Sequence, residues 1–304
     1  MRVLIVGCGY VGIPLGAELV RLGHEVFGVR RDPAAVPVLT AAGIQPVLVD
    51  ISQPAELQKL PERPDWVVHC AAASPPGGVE EYRRVYLEGT RNLLQHLAAT
   101  PPRKFVYTGS TSVYGQDDGL PVKETSPTVP VTATSEVLLA AEQLLLEAFQ
   151  QTKFPSVILR VAGIYGPERG HLFLQYLKNQ ARIAGQGERF INMIHRDDLV
   201  GIMVAALKNG RGGEVYNVVD DEPVAQIHFL RWLSETLGKW MPPYAEGPED
   251  PARKRGLTNK KVQNRKLKME IGYQFKYPNF RKGYTAEIQR LDQAGQLNLE
   301  PEAR

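Results

Sequence analysis

The sequence predicts an α/β protein: a doubly wound parallel sheet with a smaller C-terminal α/β lobe. Three observations predict it. Short β-branched runs such as Arg2–Val6 (RVLIV) alternate with stretches of helical spacing. Those runs are apolar nearly throughout, as in strands covered on both faces. The first run leads into a Gly-x-Gly-x-x-Gly loop, Gly7-Cys8-Gly9-Tyr10-Val11-Gly12, and the loop opens a helical stretch. That order of strand, glycine turn and helix is the opening unit of a Rossmann-like fold.

Further strands are expected at Glu25–Arg30, Pro46–Val49, Asp65–Cys70, Lys104–Thr108, Pro155–Arg160 and Glu214–Val218. Helical spacing marks Tyr10–Leu22, Pro33–Ala42, Glu80–Ala99 and Ser135–Gln150. Beyond Gly166 the pattern loosens, with more proline, glycine and charge. The expected division is a dinucleotide-binding domain over 1–166, with 188–219 returning to its sheet. Segments 167–187 and 220–304 would form a substrate-binding lobe over the strands' carboxyl ends. Ser135–Gln150 (SEVLLAAEQLLLEAFQ) is apolar around nearly its whole circumference, so it needs burial on two sides. One side can cover the sheet. The other is expected to meet a second copy, giving a homodimer through the 80–99 and 135–150 helices; the alternative is cover by the chain's own C-terminal lobe.

The chain has 304 residues, 43% hydrophobic and 23% charged, the balance of an ordinary globular protein. Two cysteines, Cys8 and Cys70, build no disulfide framework, so a reducing cytoplasm is expected. The apolar opening Val3–Val20 is broken by four glycines, Pro14 and Glu18, which argues against a signal peptide or membrane span there and for strand, loop and helix. Net charge is +3, with Arg253, Lys254, Arg255, Lys260, Lys261, Arg265, Lys266 and Lys268 in one stretch. This stretch lacks the interleaved aromatics of a nucleic-acid surface and reads as a solvated helix face rather than a phosphate patch.

In the glycine loop, Gly7 permits the tight turn, Gly9 a close approach to a pyrophosphate, and Gly12 close helix–strand packing. Tyr10 and Val11 complete the loop, and the helix start offers N–H groups to phosphate. Where an NAD site carries an acid for the ribose 2′-hydroxyl, this chain has Arg30-Arg31. Guanidinium groups bind a 2′-phosphate, so NADP(H) is expected over NAD(H). Asp32 precedes Pro33 and reads as a helix cap. Asp50 and Ile51 close the third strand beside the adenine position. Ala71, Ala72 and Ala73 close the fourth and leave room for a cofactor. Cys8 and Cys70 read as buried, inert thiols. His69 and Cys70 lack metal-ligand spacing, and neither a hydrolase elbow nor a Walker loop is present.

Taken with HCAAA at 69–73, LEGTRNLL at 87–94, TGSTSVYG at 108–115, LRVAGIYGP at 159–167, INMIHRDDL at 191–199 and EVYNVVDDEP at 214–223, the glycine loop gives a pattern that covers nearly the whole chain. The chain resembles the extended short-chain dehydrogenase/reductases, the NAD-dependent epimerase/dehydratase family. The resemblance implies that Ser110 bonds a substrate oxygen. It also implies a Tyr-x-x-x-Lys pair for proton transfer, but counting back from Glu142 places Thr134 and Leu138 there. Tyr86 and Gly163 stand where relatives carry asparagine. The expected function is therefore an atypical NADP-dependent oxidoreductase or epimerase-like enzyme on a small polar, sugar-like substrate. Ser110, Thr134 and Tyr86 are its candidate catalytic residues. The other reading is an NADP(H)-binding regulator without turnover. Tyr107, Tyr114 and Tyr165 read as packing residues. Arg160 and Arg189 are expected to flank the cleft and meet an anionic substrate, and Asp197 is expected to cap the helix after His195, with Asp198 complementing its dipole.

Overall fold

The computed structural model describes residues 1–73, 77–246 and 258–297. Among them, seven strands form one parallel sheet: β1 (Arg2–Val6), β2 (Glu25–Arg30), β3 (Gln45–Leu48), β4 (Trp66–His69), β5 (Lys104–Ser110), β7 (Ser156–Val161) and β11 (Val215–Val218). Their spatial order is β3-β2-β1-β4-β5-β7-β11. From β1 the chain winds outward to β2 and β3, then returns to lay β4 on the other side of β1. The order thus reverses between β1 and β4, and ligands of open sheets bind outside the strand ends at such a point.

Successive side chains of β1 serve opposite faces, as the strand period requires. Val3 and Ile5 pack under α1 (Gly12–Arg21) and α7 (Arg196–Asn209), with Leu15, Leu19, Ile202 and Met203. Leu4 and Val6 pack on the other face with Leu93 of α4 (Gly89–Leu97) and Ala141 and Leu145 of α5 (Ala133–Thr152). Between the sheet strands lie α2 (Val36–Ala41), after a 3-10 turn capped by Asp32, and α3 (Val79–Tyr82). The single helix expected over 80–99 is α3 and α4 joined by a π-helical stretch, Arg83–Glu88. On α5, Val137, Leu138, Ala141 and Leu145 are buried, whereas Glu136, Gln143, Glu147 and Gln150 are exposed.

Short pairs complete the structure at the sheet's carboxyl edge. β8 (Gly163–Tyr165) runs parallel to β10 (Met193–His195), β9 (Phe190–Ile191) pairs antiparallel with β12 (Val224–Ala225), and β6 (Pro121–Val122) runs parallel to β13 (Lys261–Val262). A separate core joins Phe173 and Tyr176 of α6 (His171–Leu177), Phe229, Leu230, Leu233 and Leu237 of α8 (Gln226–Leu237), and Phe280 and Tyr284 of α10 (Phe280–Gln293). The α8 residues fall on one helical stripe, and the helix stops at Gly238, whose φ of 63° is the left-handed stop. The remaining helix, α9 (Arg265–Glu270), packs against β11, with Leu267 fully buried. No helix among the described residues is long and apolar enough to cross a membrane.

Candidate functional site

A cleft of about 1560 Å³ runs along the carboxyl ends of the sheet. Gly7, Gly9, Tyr10, Val11, Arg30, Arg31, Asp50, Ile51, Ala71 and Ala72 line one part of it. Ser110, Thr132, Ser135, Leu138, Arg189 and Lys260 are among the residues lining the rest. Gly12, Ala73 and Thr134 do not line it.

The glycine loop is wedged between β1 and β4. Gly7 has φ 89°, and a Cβ there would stand 2.2 Å from Ala71 Cα, so no other residue fits without moving β4. A Cβ at Gly12 would meet Gly7 O at 2.9 Å and Ile5 Cγ2 at 3.2 Å; the third glycine lets α1 start against the strand. Val11 gives the helix no side-chain cap, so the first N–H groups of α1 face the cleft end with only backbone chemistry to offer. Tyr10 turns away from the loop: its hydroxyl donates to Pro167 O at 3.0 Å.

The end of β2 is strongly cationic. Arg30 arches over the glycine loop, Nη1 donating to Cys8 O at 3.3 Å and standing 2.8 Å from where a Gly9 Cβ would be. Arg31 pairs with Glu81 at 3.3 Å, with its side chain 38% exposed. Asp32, the nearest acid in the chain, accepts from Ala34 N at 2.9 Å as the cap its sequence position implied. Asp50 is likewise engaged, accepting from Ser52 N at 2.9 Å and Ser52 Oγ at 2.7 Å. Its carboxyl is held below the usual range: burial acts upward, and the Ser52 hydrogen bonds and Arg31 outweigh it. Burial pushes the Cys8 thiol up to about 12 and Cys70 higher still, so both are poor nucleophiles. Burial also pushes His69 down to about 4, leaving a neutral ring against Thr90 Oγ1 at 3.1 Å.

Across the cleft, β5 ends on Ser110, whose Oγ accepts from Ser112 N at 3.1 Å. Thr132 caps α5, accepting from Ser135 N at 3.2 Å, and Thr134 Oγ1 lies 3.1 Å from Thr132 Oγ1. The hydroxyls that α5 presents to the cleft are therefore those of Thr132 and Ser135. Leu138, 7% exposed, lies one turn further along and packs with Val113 and Tyr114. Tyr86 lines the cleft from the π-helical stretch, its ring 5.1 Å from Tyr82. Burial and Tyr82 push its hydroxyl up to about 12, the wrong direction for a phenolate. Tyr107 is buried in the core, and Tyr165, 1% exposed, stacks on Tyr284 at 4.3 Å.

Two expectations are corrected. Arg160 does not flank the cleft. It is buried beneath it, paired through Nε and Nη2 with Glu142, and donates from Nη1 to Tyr114 OH at 2.6 Å. β7 ends near the cleft, but the strand alternation turns Arg160 toward α5. The cap of α7 is His195, whose Nδ1 accepts from Asp197 N at 3.1 Å. Asp198, fully buried, does lie as an acid in the first turn of α7, as expected, and it also accepts from Tyr273 OH and from the Lys276 and Tyr277 N–H groups, so it anchors the C-terminal segment.

The basic stretch is not one solvated face either. Arg253, Lys254 and Arg255 lie outside the described residues. Lys266 pairs with Glu214, Lys268 pairs with Asp221, and Lys260 is 5% exposed. Lys260 Nζ donates to Tyr114 O at 2.7 Å and to Thr258 Oγ1 at 2.6 Å, and its side chain lines the cleft. Composition alone could not separate this lysine from its neighbours. The one local signal is that Val262, two residues on, is apolar within a charged run.

The doubly wound sheet, its glycine wedge and the cleft at the switch point define a dinucleotide-fold protein. The chain belongs to the NAD dependent epimerase/dehydratase family, whose model matches residues 3–219. It is 29% identical over 286 residues to protein YeeZ of Escherichia coli (strain K12), covering 91% of this chain and 97% of that protein. It is 31% identical over 250 residues to dTDP-6-deoxy-L-talose 4-dehydrogenase (NAD(P)(+)) of Kitasatospora kifunensis, covering 76% of this chain and 77% of that protein. A solved structure from Silicibacter pomeroyi DSS, of a functionally unknown conserved protein, is 29% identical with a TM-score of 0.78, covering 98% of this chain and 100% of that one.

Proposed function

We propose that the protein is an NADP(H)-dependent oxidoreductase acting on a small polar carbonyl or hydroxyl compound. The observation that carries the reading is the β2 end: two guanidinium groups stand beside the glycine loop, Asp32 is committed to a cap, and Glu81 pairs with Arg31 from the side. The fit to a phosphorylated dinucleotide rests on this chain's own geometry. The Gly7–Ala71 approach leaves only backbone beside the pyrophosphate position, and the uncapped start of α1 offers N–H groups there. Arg30 and Arg31 would hold the 2′-phosphate, Asp50 and Ile51 would border the adenine, and Ala71 and Ala72 would leave room for the ribose. When bound, the cofactor supplies or accepts hydride.

Ser110 would orient the substrate oxygen, with Thr132 and Ser135 as the cleft-lining hydroxyls that can pass a proton to water, and Thr134 would act only through Thr132. Segments 167–187 and 220–304 would form the substrate lobe. A homodimer through the 80–99 and 135–150 helices would cover the partly exposed Leu139 and Leu144 of α5. A regulator that holds NADP(H) without turning it over is the second reading. It is favoured by Leu138, which puts a methyl-lined surface where the family resemblance expects an ammonium.

Binding and turnover are measured separately. NADPH should bind at least tenfold more tightly than NADH, and Arg30→Ala/Arg31→Ala should remove that preference. Each charge-assisted bond to phosphate is worth roughly 1.5–3 kcal/mol, about tenfold or more. NADPH oxidation across a panel of polar carbonyl compounds should fall about 100-fold or more in Ser110→Ala. Equal affinity for NADH and NADPH would end the NADP assignment. Tight NADPH binding with no oxidation by any carbonyl would leave the regulator reading.

A further inference from the structure

We propose that Lys260 holds a carboxylate of the substrate, so that the protein acts on a small oxo- or hydroxy-acid; this rests on the oxidoreductase reading above. Lys260 is buried to 95% and yet lines the cleft. An ammonium has three N–H donors. Two are spent, on Tyr114 O and Thr258 Oγ1. Neither acceptor carries a charge, and no carboxylate among the described residues pairs with this lysine. A buried cation without a counter-ion is disfavoured by its lost solvation, and an anionic ligand offsets that loss. Burial alone lowers the amine, to about 8, and it remains mostly protonated at neutral pH.

The lysine is also built into place. Asn192 grips its segment twice, Nδ2 donating to Lys260 O at 2.9 Å and Oδ1 accepting from Val262 N at 2.7 Å. Asn259 Oδ1 accepts from Phe190 N at 3.0 Å, and Lys261 N donates to Leu120 O at 3.0 Å. Segment 258–263 is thus fixed between the Ser110 loop and β9. Tyr114, whose backbone carbonyl accepts from the ammonium, lies four residues beyond Ser110 in that loop. The charge therefore belongs to the substrate end of the cleft, away from the arginines at the end of β2. One remaining N–H on a point charge suits one oxygen of a carboxylate. A phosphate calls for several donors or a helix start, which segment 258–263 does not supply.

The test is calorimetric titration of the NADPH-loaded protein with malonate, malonamide and inorganic phosphate, repeated without NADPH. Malonate should bind at least tenfold more tightly than either of the others. Lys260→Met should weaken malonate at least tenfold while leaving NADPH affinity within twofold. A second measurement needs no variant. With lysine labelled at Cε, the resonance titrating near pH 8 should move to higher pH by about a unit when malonate saturates. The proposal is overturned if malonate does not bind, if it binds Lys260→Met as well as the native protein, if phosphate binds more tightly, or if the lysine titration does not move. Loss of NADPH binding in the native protein, with malonate binding intact, would instead sink the cofactor reading alone.

Discussion

Asp220 shows how a single buried group sets a pH dependence. It is 1% exposed, and its Oδ1 accepts from Glu222 N at 3.1 Å while Oδ2 has no partner among the described residues. Burial, with Asp221, Glu222 and Asp198 nearby, raises its carboxyl to about 8 against the Glu222 N–H, so it is mostly neutral at pH 7. The folded protein therefore holds this proton more tightly than the unfolded chain. The stabilisation is complete below about pH 4 and is lost as the pH rises through 8. Asp220→Asn keeps the Oδ1 acceptor and cannot ionise. Its stability advantage over the native protein should grow between pH 5 and pH 8 by on the order of 3 kcal/mol, read by urea denaturation. A constant difference across that range would rule out a buried neutral carboxyl. The residue was invisible to sequence reading, because Asp220-Asp221-Glu222 looks like an ordinary acidic turn and only the packing singles out the first.

At the scale of elements, one ion pair locks α5 to β7, and its hydrogen bonds run on to the loop after β5 and to β11. Glu142 of α5 and Arg160 of β7 are 1% and 4% exposed, and Arg160 continues to Tyr114 OH, which in turn donates to Asn217 Oδ1 at 2.8 Å. Removing one member leaves the other buried and unpaired, a loss of about 3–5 kcal/mol. Glu142→Gln should show that loss in chemical denaturation. Glu142→Leu/Arg160→Met should lose less than the two single changes summed, because no orphaned charge remains. Additivity would mean the two side chains act independently.

Which elements the sequence discloses follows from the same logic. β1 matches its expected ends because Gly7 breaks a run buried on both faces. The 80–99 helix was legible as a helix but not as one with a π turn. The π turn leads directly into a contact far off in sequence: a Cβ at Gly89 would stand 2.6 Å from Ile51 Cδ1, so α4 lies hard against the residues after β3. Cofactor candidates were legible because a glycine wedge and paired arginines are local signals. Arg160 and Lys260 departed from their expected places because a charged side chain's partners come from other elements: Glu142 of α5 and Tyr114 for Arg160, and Tyr114, 146 residues away, for Lys260.

For the molecule as a whole, Tyr10 is the link between the glycine loop and the residues beyond β7. Two guanidinium groups contact its ring, Arg169 at 5.0 Å and Arg196 at 5.3 Å, and its hydroxyl donates to Pro167 O. Gly166, at φ 142°, keeps the chain close: a Cβ there would stand 3.3 Å from Tyr10 OH and 3.4 Å from His195 Nε2. A ligand that orders the glycine loop therefore acts directly on Pro167–Gly170, which leads into α6. Each cation–π contact is worth about 0.5–1 kcal/mol at a partly exposed site, and the hydrogen bond a similar amount. Together they couple the two parts by roughly 2 kcal/mol. NADPH should accordingly slow amide exchange both in 7–13 and in 166–177. In Tyr10→Ala the first protection should persist and the second should fall by an order of magnitude or more. If 166–177 is protected equally in the variant, cofactor and substrate regions communicate by another route, and the sheet itself, through β5 and β7, becomes the path to examine.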